Sequence, residues 1–297
     1  MRKCNVVTLC MPEVWDTLPE KNWERAAKLM DDTASLKPDL VCLPERFLEI
    51  SVNQPVDYSV ETPMYFDLLA QKARAIGSYI VAGAREIING RLCNVAWLID
   101  RAGLLAGRYI KYRPTDGEME KGIHAGSDIP VFETDFGKVG ILICFDIDWP
   151  ELWTEIDKKG AEIVVWPSAY EGGYPLNAYA ACNAYYVVSS VRAYQSKIIN
   201  ITGHVLETSS KWANWAYKQI GLDKTLFHVD SQFHKLPQIQ LELGGKITLE
   251  TFEEEGRFTI ESNDPDWPIA RIIETYKLET FKEYHERVEK MNEKVRV

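Results

Sequence analysis

The feature that most limits the fold is a set of short, almost wholly apolar runs spread along the chain. They are NVVTLC (residues 5–10), DLVCL (39–43), SYIVAGA (78–84), KVGILIC (138–144) and AEIVVW (161–166). Each is too short for a helix and rich in β-branched residues, which marks buried strands. Helical spacing fills the intervals. In residues 19–36, Trp23, Ala26, Ala27, Met30 and Ala34 share one side, and residues 64–77 form a second helix stopped by Gly77. Residues 148–160 read as a third, with Asp148 as N-cap, Pro150 in the first turn and Gly160 at the stop. LCNVAWLID and LLAGRYIK, joined by Arg101-Ala102-Gly103, read as a hairpin, as does VFETDFGKVGILICFD with its turn near Asp135-Phe136-Gly137. Helices alternating with strands, some of them in hairpins, predict an α/β fold with mixed strand pairing.

Further along, residues 177–186 are predicted helical, and YYVVSSVRA and KIINITGHVL are predicted strands. The signal weakens beyond Ser231, where KITLETFEEEGRFTIE suggests a hairpin with an acidic rim and the segment from Ala270 a charged amphipathic helix and tail. No repeat or linker interrupts the chain. One domain is therefore expected over residues 1–269, with residues 270–297 as a helix and tail that form an interface.

The chain has 297 residues, 46% of them hydrophobic, which suffices for a large core. Its 44 acidic side chains against 34 basic ones give a formal net charge of -10, with no basic block to hold nucleic acid or an anionic membrane. The apolar run at the N-terminus is broken by Glu13, and no stretch is long enough to span a bilayer, so a cytoplasmic protein is expected. The six cysteines, at 4, 10, 42, 93, 144 and 182, include no C-x-x-C pair and read as reduced thiols.

Three of the strand runs end in reactive side chains: Glu45 after DLVCLP, Lys111 after LLAGRYI, and Cys144 after KVGILI. Ligands of α/β sheets collect at the carboxyl ends of strands. A carboxylate, an ammonium and a thiol meeting there would make a nucleophilic site. The carboxylate can take the thiol proton, and the ammonium can stabilise an oxyanion. Taken singly, each residue also fits an ordinary place: the cysteine as core filler, the glutamate and lysine as solvated strand ends.

Together these segments resemble the nitrilase superfamily of carbon–nitrogen hydrolases, from Asn5 to about residue 205. DLVCLPE resembles the family's glutamate motif, GRYIKYRP its lysine motif, GILICFDIDWPE its cysteine motif, and GAEIVVWPSA the segment that follows. The resemblance implies an α-β-β-α sandwich that commonly pairs into a homodimer, and no metal or organic cofactor. It makes Glu45 the general base, Lys111 the oxyanion-stabilising cation and Cys144 the nucleophile, with the Phe145 N–H as a second oxyanion donor. The family's second glutamate falls in TDGEMEKGIHAG, where the spacing to Gly126 favours Glu120 and leaves Glu118 as the alternative.

The implied substrate is a small amide or carbamoyl compound. Nitrile-hydrolysing members usually follow the cysteine with Trp-Glu, and this chain has Phe145-Asp146. Asp146 stands where several carboxylate-binding branches place arginine; it either meets a polar or cationic substrate or braces the turn. Trp149, Tyr170 and Arg192 are the other candidate pocket residues, with Arg192 able to pair with a carboxylate. Two rival readings remain: a cysteine–histidine hydrolase, for which the histidines supply no motif, and a silent family member that serves as a binding or assembly protein.

Overall fold

Apolar runs buried on both faces build two sheets, described here from a computed structural model covering residues 2–297. In chain order the first half comprises β1 (Lys3–Leu9), α1 (Pro19–Thr33), β2 (Leu40–Cys42), α2 (Tyr58–Ile76), β3 (Tyr79–Ile88), β4 (Arg91–Ile99), β5 (Leu105–Ile110) and α3 (Asp116–Glu120). There follow β6 (Val131–Glu133), β7 (Lys138–Ile141), α4 (Pro150–Lys158), β8 (Ile163–Ser168), α5 (Tyr174–Asn183), β9 (Tyr186–Val191), β10 (Lys197–Ile199), β11 (Val205–Thr208) and β12 (Trp215–Gly221). The strand order is β12-β1-β2-β3-β4-β5 in one sheet and β11-β10-β9-β8-β7-β6 in the other. Each sheet has a parallel centre, β1-β2-β3 and β7-β8-β9, and antiparallel flanks.

The layers follow the predicted α-β-β-α order. Ala26 and Met30 of α1 and Leu69, Ala70 and Ala73 of α2 pack on Val7, Leu9, Val41, Ile80 and Trp97 of the first sheet. On the second sheet, a Cβ at Gly140 would strike the Ile156 side chain, so α4 lies directly on β7, and Trp153 of α4 stacks on Tyr179 of α5 at 4.4 Å. Between the sheets, buried hydroxyls join them. Thr8 donates to the Ser189 carbonyl (2.6 Å), and the Ser190 hydroxyl donates to the Leu9 carbonyl (2.7 Å) with the Cys42 carbonyl also near it (3.0 Å). Each such bond adds about 1 kcal/mol net and fixes the register of one sheet on the other.

Both hairpins form as read, β4–β5 and β6–β7. Some details differ. The N-cap of α4 is Trp149, because Asp148 is the last residue of a preceding 3-10 turn, Cys144–Asp148. The helix expected at 64–77 begins at Tyr58, where Asp57 caps it by accepting from the Ser59 N–H. KIINITGHVL is a hairpin, β10–β11, and not one strand.

The chain separates into two compact units. Cys4–Ile220 carries both large sheets, and Gly221–Val297 together with Arg2 and Lys3 forms the other. The latter holds β13 (Lys224–His228), α6 (Leu236–Leu243), β14 (Ile247–Phe252), β15 (Arg257–Ser262), α7 (Ile269–Tyr276) and α8 (Phe281–Glu293). Its antiparallel sheet, β13-β15-β14, has its own core of Phe227, Ile239, Phe258, Ile260 and Ile272. The expected hairpin is β14–β15. The expected single terminal helix is two, because Lys277 takes a left-handed conformation and Thr280 starts a new capping box with Glu283. Among the described residues, no helix is long and apolar enough to cross a membrane.

Candidate active site

Local chain geometry delivers the three reactive side chains. The β2 strand ends at Cys42, and Leu43-Pro44 carry the chain to Glu45, which is 2% exposed. The loop rests on Gly83 of β3, where a Cβ would lie 2.6 Å from Glu45 Cα and 2.7 Å from the Pro44 carbonyl oxygen. Only glycine permits that approach. Lys111 follows β5 directly, is 1% exposed, and is fixed by its N–H donating to the Asn94 carbonyl at 2.9 Å. Cys144 opens the 3-10 turn after β7 with φ at 46°, the left-handed region that disfavours side chains.

Asp146 holds that turn. It is fully buried and accepts from the N–H of Ile143 (2.8 Å), the N–H of Arg113 (2.8 Å) and the Tyr109 hydroxyl (2.7 Å). Of the two roles open to Asp146, the structure places it in the bracing one, since no part of its carboxylate faces solvent. Burial pushes its pKa up to about 6 against these donors.

Lys111 lies between two carboxylates. Its Nζ donates to Glu45 Oε1 at 3.0 Å and to Glu118 Oε2 at 2.8 Å. The second glutamate of the cluster is therefore Glu118, and the expectation for Glu120 is corrected. Both lie on the short helix α3, where two residues amount to about 200° of rotation. Glu118 turns inward and Glu120 is exposed. The inward choice is set by a capping box: Thr115 Oγ1 accepts from the Glu118 N–H, and Glu118 Oε2 accepts from the Thr115 N–H at 3.0 Å. That signature, Thr115-x-x-Glu118, is visible in the sequence and is the signal that spacing to Gly126 overlooked.

Sequence reasoning also missed Asn94. It is fully buried on β4, and its Nδ2 donates to Glu45 Oε1 at 2.8 Å and to Glu118 Oε1 at 2.7 Å. A single asparagine in an apolar strand gives little signal beyond its being out of place.

The electrostatics form one coupled system. Burial would raise the Glu45 pKa, but Lys111, Arg192 and Arg46 outweigh it and bring it down to about 2. Burial would lower that of Lys111, yet Glu45, Cys144 and Glu118 carry it above the usual lysine value. Burial and the Glu45 charge push the Cys144 thiol up to about 11, opposed by Lys111 and by hydrogen bonds from Ala169 and Ser168. The resting site thus holds two carboxylates, an ammonium and a neutral thiol. Cys144 is 8% exposed and lies close enough to Glu45 and Lys111 for their charges to act on its thiol.

The remaining candidates surround this centre. The Phe145 N–H donates to no protein group among the described residues, and the Phe145 ring meets Trp149 edge-on at 4.7 Å. The Arg113 guanidinium covers Trp149 at 5.2 Å. Tyr170 packs on Trp166 at 5.5 Å, and burial and the Cys144 charge push its hydroxyl up to about 12. Trp166 in turn donates to the Cys144 carbonyl at 3.0 Å. Arg192, 8% exposed, brings Nη2 within 3.7 Å of Glu45 Oε2. Four of the five histidines are engaged otherwise, His124 with the Gly122 carbonyl, His204 with Thr202, His228 with Tyr284 and His285 with Phe281, and His234 is exposed. Among the described residues no cluster of side chains is suited to hold a metal ion.

Two mixed sheets within an α-β-β-α sandwich, with an acid, a cation and a thiol joined at strand ends, are the architecture of the nitrilase superfamily. The chain belongs to its carbon–nitrogen hydrolase family, whose pattern matches residues 6–225. It is 31% identical over 215 residues to a nitrilase of Pyrococcus abyssi, covering 65% of this chain and 77% of that protein. It is also similar, at 32% identity over 130 residues, to the probable hydrolase YhcX of Bacillus subtilis; that match takes in 43% of this chain but only 25% of the relative's length. Among solved structures, an amidase from Nesterenkonia sp. superposes with a TM-score of 0.66 at 17% identity, covering 73% of this chain and 90% of that one.

Proposed function

We propose that this protein hydrolyses the carbon–nitrogen bond of a small amide or N-carbamoyl compound through a thioester on Cys144. The observation that carries the reading is the Lys111 ammonium held between Glu45 and Glu118, with the Cys144 thiol coupled to Glu45 and Lys111. Cys144 Sγ attacks the carbonyl carbon while its proton passes to Glu45. The oxyanion forms against Lys111 Nζ and the Phe145 N–H. As the oxyanion competes for Lys111, the ammonium's hold on Glu45 weakens and Glu45 becomes a better base when it must accept the proton. Glu45 then protonates the departing amine or ammonia, leaving the thioester. A water attacks next, Glu45 takes its proton, and collapse returns a proton to Sγ.

An amide is favoured over a nitrile by Phe145-Asp146 in place of Trp-Glu, and the Nesterenkonia neighbour is itself described as an amidase. Phe145, Trp149 and Tyr170 would line the acyl pocket, and Arg192 would meet a carboxylate or carbonyl oxygen of the substrate. A homodimer in the cytoplasm is the setting we assign: the pairing is what the family resemblance implies, and the free cysteines suit a reducing compartment.

The test is ammonia release across simple amides, ω-amides, carbamoyl amino acids, carbamoyl amines and a nitrile. Turnover of one amide or carbamoyl class, abolished in Cys144→Ala with an unchanged circular dichroism spectrum, is expected. Normal turnover by Cys144→Ala would refute the nucleophile. Turnover of the nitrile alone would refute the substrate class.

A further inference from the structure

We propose that Asn94 is a positioning residue of this site, one side-chain amide that sets the spacing and aim of both glutamates across Lys111. The inference rests on the reading above for its kinetic arm only. A primary amide has two N–H bonds on one nitrogen and carries no charge. Here each bond goes to a different carboxylate, Glu45 Oε1 at 2.8 Å and Glu118 Oε1 at 2.7 Å. With both bonds near linear, the two oxygens are held about 4.8 Å apart. The same residue's carbonyl accepts from the Lys111 N–H at 2.9 Å. Asn94 thus fixes the backbone of the cation and the side chains of both anions from one point on β4.

The chemistry explains why an amide stands there. Serine or threonine has a single hydroxyl proton and could hold only one carboxylate. Lysine or arginine would add a positive charge to a Glu45 already faced by Lys111 and Arg192, and would weaken it further as a base. Without any donor, two carboxylates this close would repel, and one would swing away or take a proton. The orientation of the amide is settled too, because turning it over would point Oδ1 at two anions. In the orientation found, Oδ1 is buried and accepts no hydrogen bond. A buried acceptor left unpaired costs stability, and its retention is the mark of a group kept for what its other end does.

The test uses the full-length protein with Asn94→Leu, which keeps the volume and removes both donors, and Asn94→Ser, which keeps one. On an amide that the wild type hydrolyses, Asn94→Leu is expected to lower kcat at least about tenfold with KM within about threefold. The acid limb of kcat/KM should move up by half a pH unit or more, and Asn94→Ser should lie between. The second readout needs no turnover: urea stability from pH 3 to pH 7. Glu45 and Glu118 have pKa values lowered in the folded protein, so the stability they give is present above the ordinary carboxylate range and is lost progressively as pH falls from there toward their lowered folded values. A variant that no longer holds them loses less on acidification. Its deficit relative to wild type should be larger at pH 7 than at pH 3.

A deficit equal at both pH values, with the acid limb unmoved, means that Asn94 only fills space and overturns the proposal. If the wild type turns over no member of the panel while the urea deficit varies with pH as expected, the hydrolase reading falls and the role of Asn94 stands. Should Asn94→Leu not fold, Asn94→Ser is judged by the same two measurements.

Discussion

Replacing Glu118 by glutamine, with Glu120→Gln as its partner experiment, separates an inward-facing glutamate from a solvated one. Glu118 accepts three short bonds, from Lys111 Nζ at 2.8 Å, from Asn94 Nδ2 at 2.7 Å and from the Thr115 N–H at 3.0 Å, and a longer one from the Thr115 hydroxyl at 3.4 Å. Glutamine keeps the shape but offers one acceptor oxygen and one NH2. If its oxygen faces Lys111 and Thr115, its NH2 meets the Asn94 NH2; if it turns over, its NH2 meets the ammonium. Either way a buried donor loses its partner, at about 1–3 kcal/mol, and Lys111 loses one of its two counter-charges. Glu45 must then carry the ammonium alone, which keeps Lys111 bound to the base and away from the developing oxyanion. Weakening oxyanion support to this extent corresponds to about 2.7–4 kcal/mol, or about 100- to 1000-fold in kcat. We therefore expect Glu118→Gln to lose at least about 100-fold in kcat/KM and about 2 kcal/mol in urea stability. Glu120→Gln should stay within about twofold and 0.5 kcal/mol, as an exposed side chain away from the cluster. The assay is steady-state ammonia release on the preferred substrate, with urea melts followed by tryptophan fluorescence. A Glu118→Gln enzyme of near-normal rate, or a Glu120→Gln enzyme as damaged as Glu118→Gln, would refute the assignment.

Gly83→Ala should act at a distance from the chemistry: its Cβ would press on the backbone of Pro44, Glu45 and Arg46, at 2.6–2.8 Å. The Glu45 loop must shift, with a cost of about 1–3 kcal/mol in urea melts and a fall in kcat; an unchanged rate would mean the loop has slack. Asp146→Ala leaves the Ile143 and Arg113 N–H groups and the Tyr109 hydroxyl without their acceptor. A loss of about 3 kcal/mol or more is expected, together with loss of turnover, and a melt within 1 kcal/mol of wild type would contradict the bracing role.

Much of this arrangement was legible because strands advertise themselves. Apolar runs of β-branched residues located β2, β7 and β8, and the first reactive side chains beyond β2, β5 and β7 are Glu45, Lys111 and Cys144. Hairpins were read from their glycine turns. What resisted reading depended on rotation and on long-range pairing. Glu118 and Glu120 sit two residues apart, and only the cap at Thr115 decides which one points in. Asn94 gains its meaning from Glu45 and Glu118, 49 and 24 residues away in the chain. Asp146 could be read as a substrate contact until its carboxylate was seen to be taken up by Tyr109 and two backbone N–H groups. The later unit was hard to read for another reason. Its strands β14 and β15 carry charged residues within them, Glu250, Arg257 and Glu261, and at the turn, so the apolar contrast that marks a core strand is faint.

The left-handed backbone at Cys144 sets foldability against reactivity at a single position. Glycine is the residue most at ease with that conformation, and a search for stabilising substitutions guided by backbone shape would choose it there. Such a protein would gain about 1 kcal/mol of robustness and forfeit its sulfur. β-Branched residues are barred more firmly, so a threonine in the same turn is no simple heir to the cysteine. On the proposed chemistry, a serine, unbranched at Cβ, could take the cysteine's place in this bend, whereas a threonine nucleophile would first need the bend rebuilt.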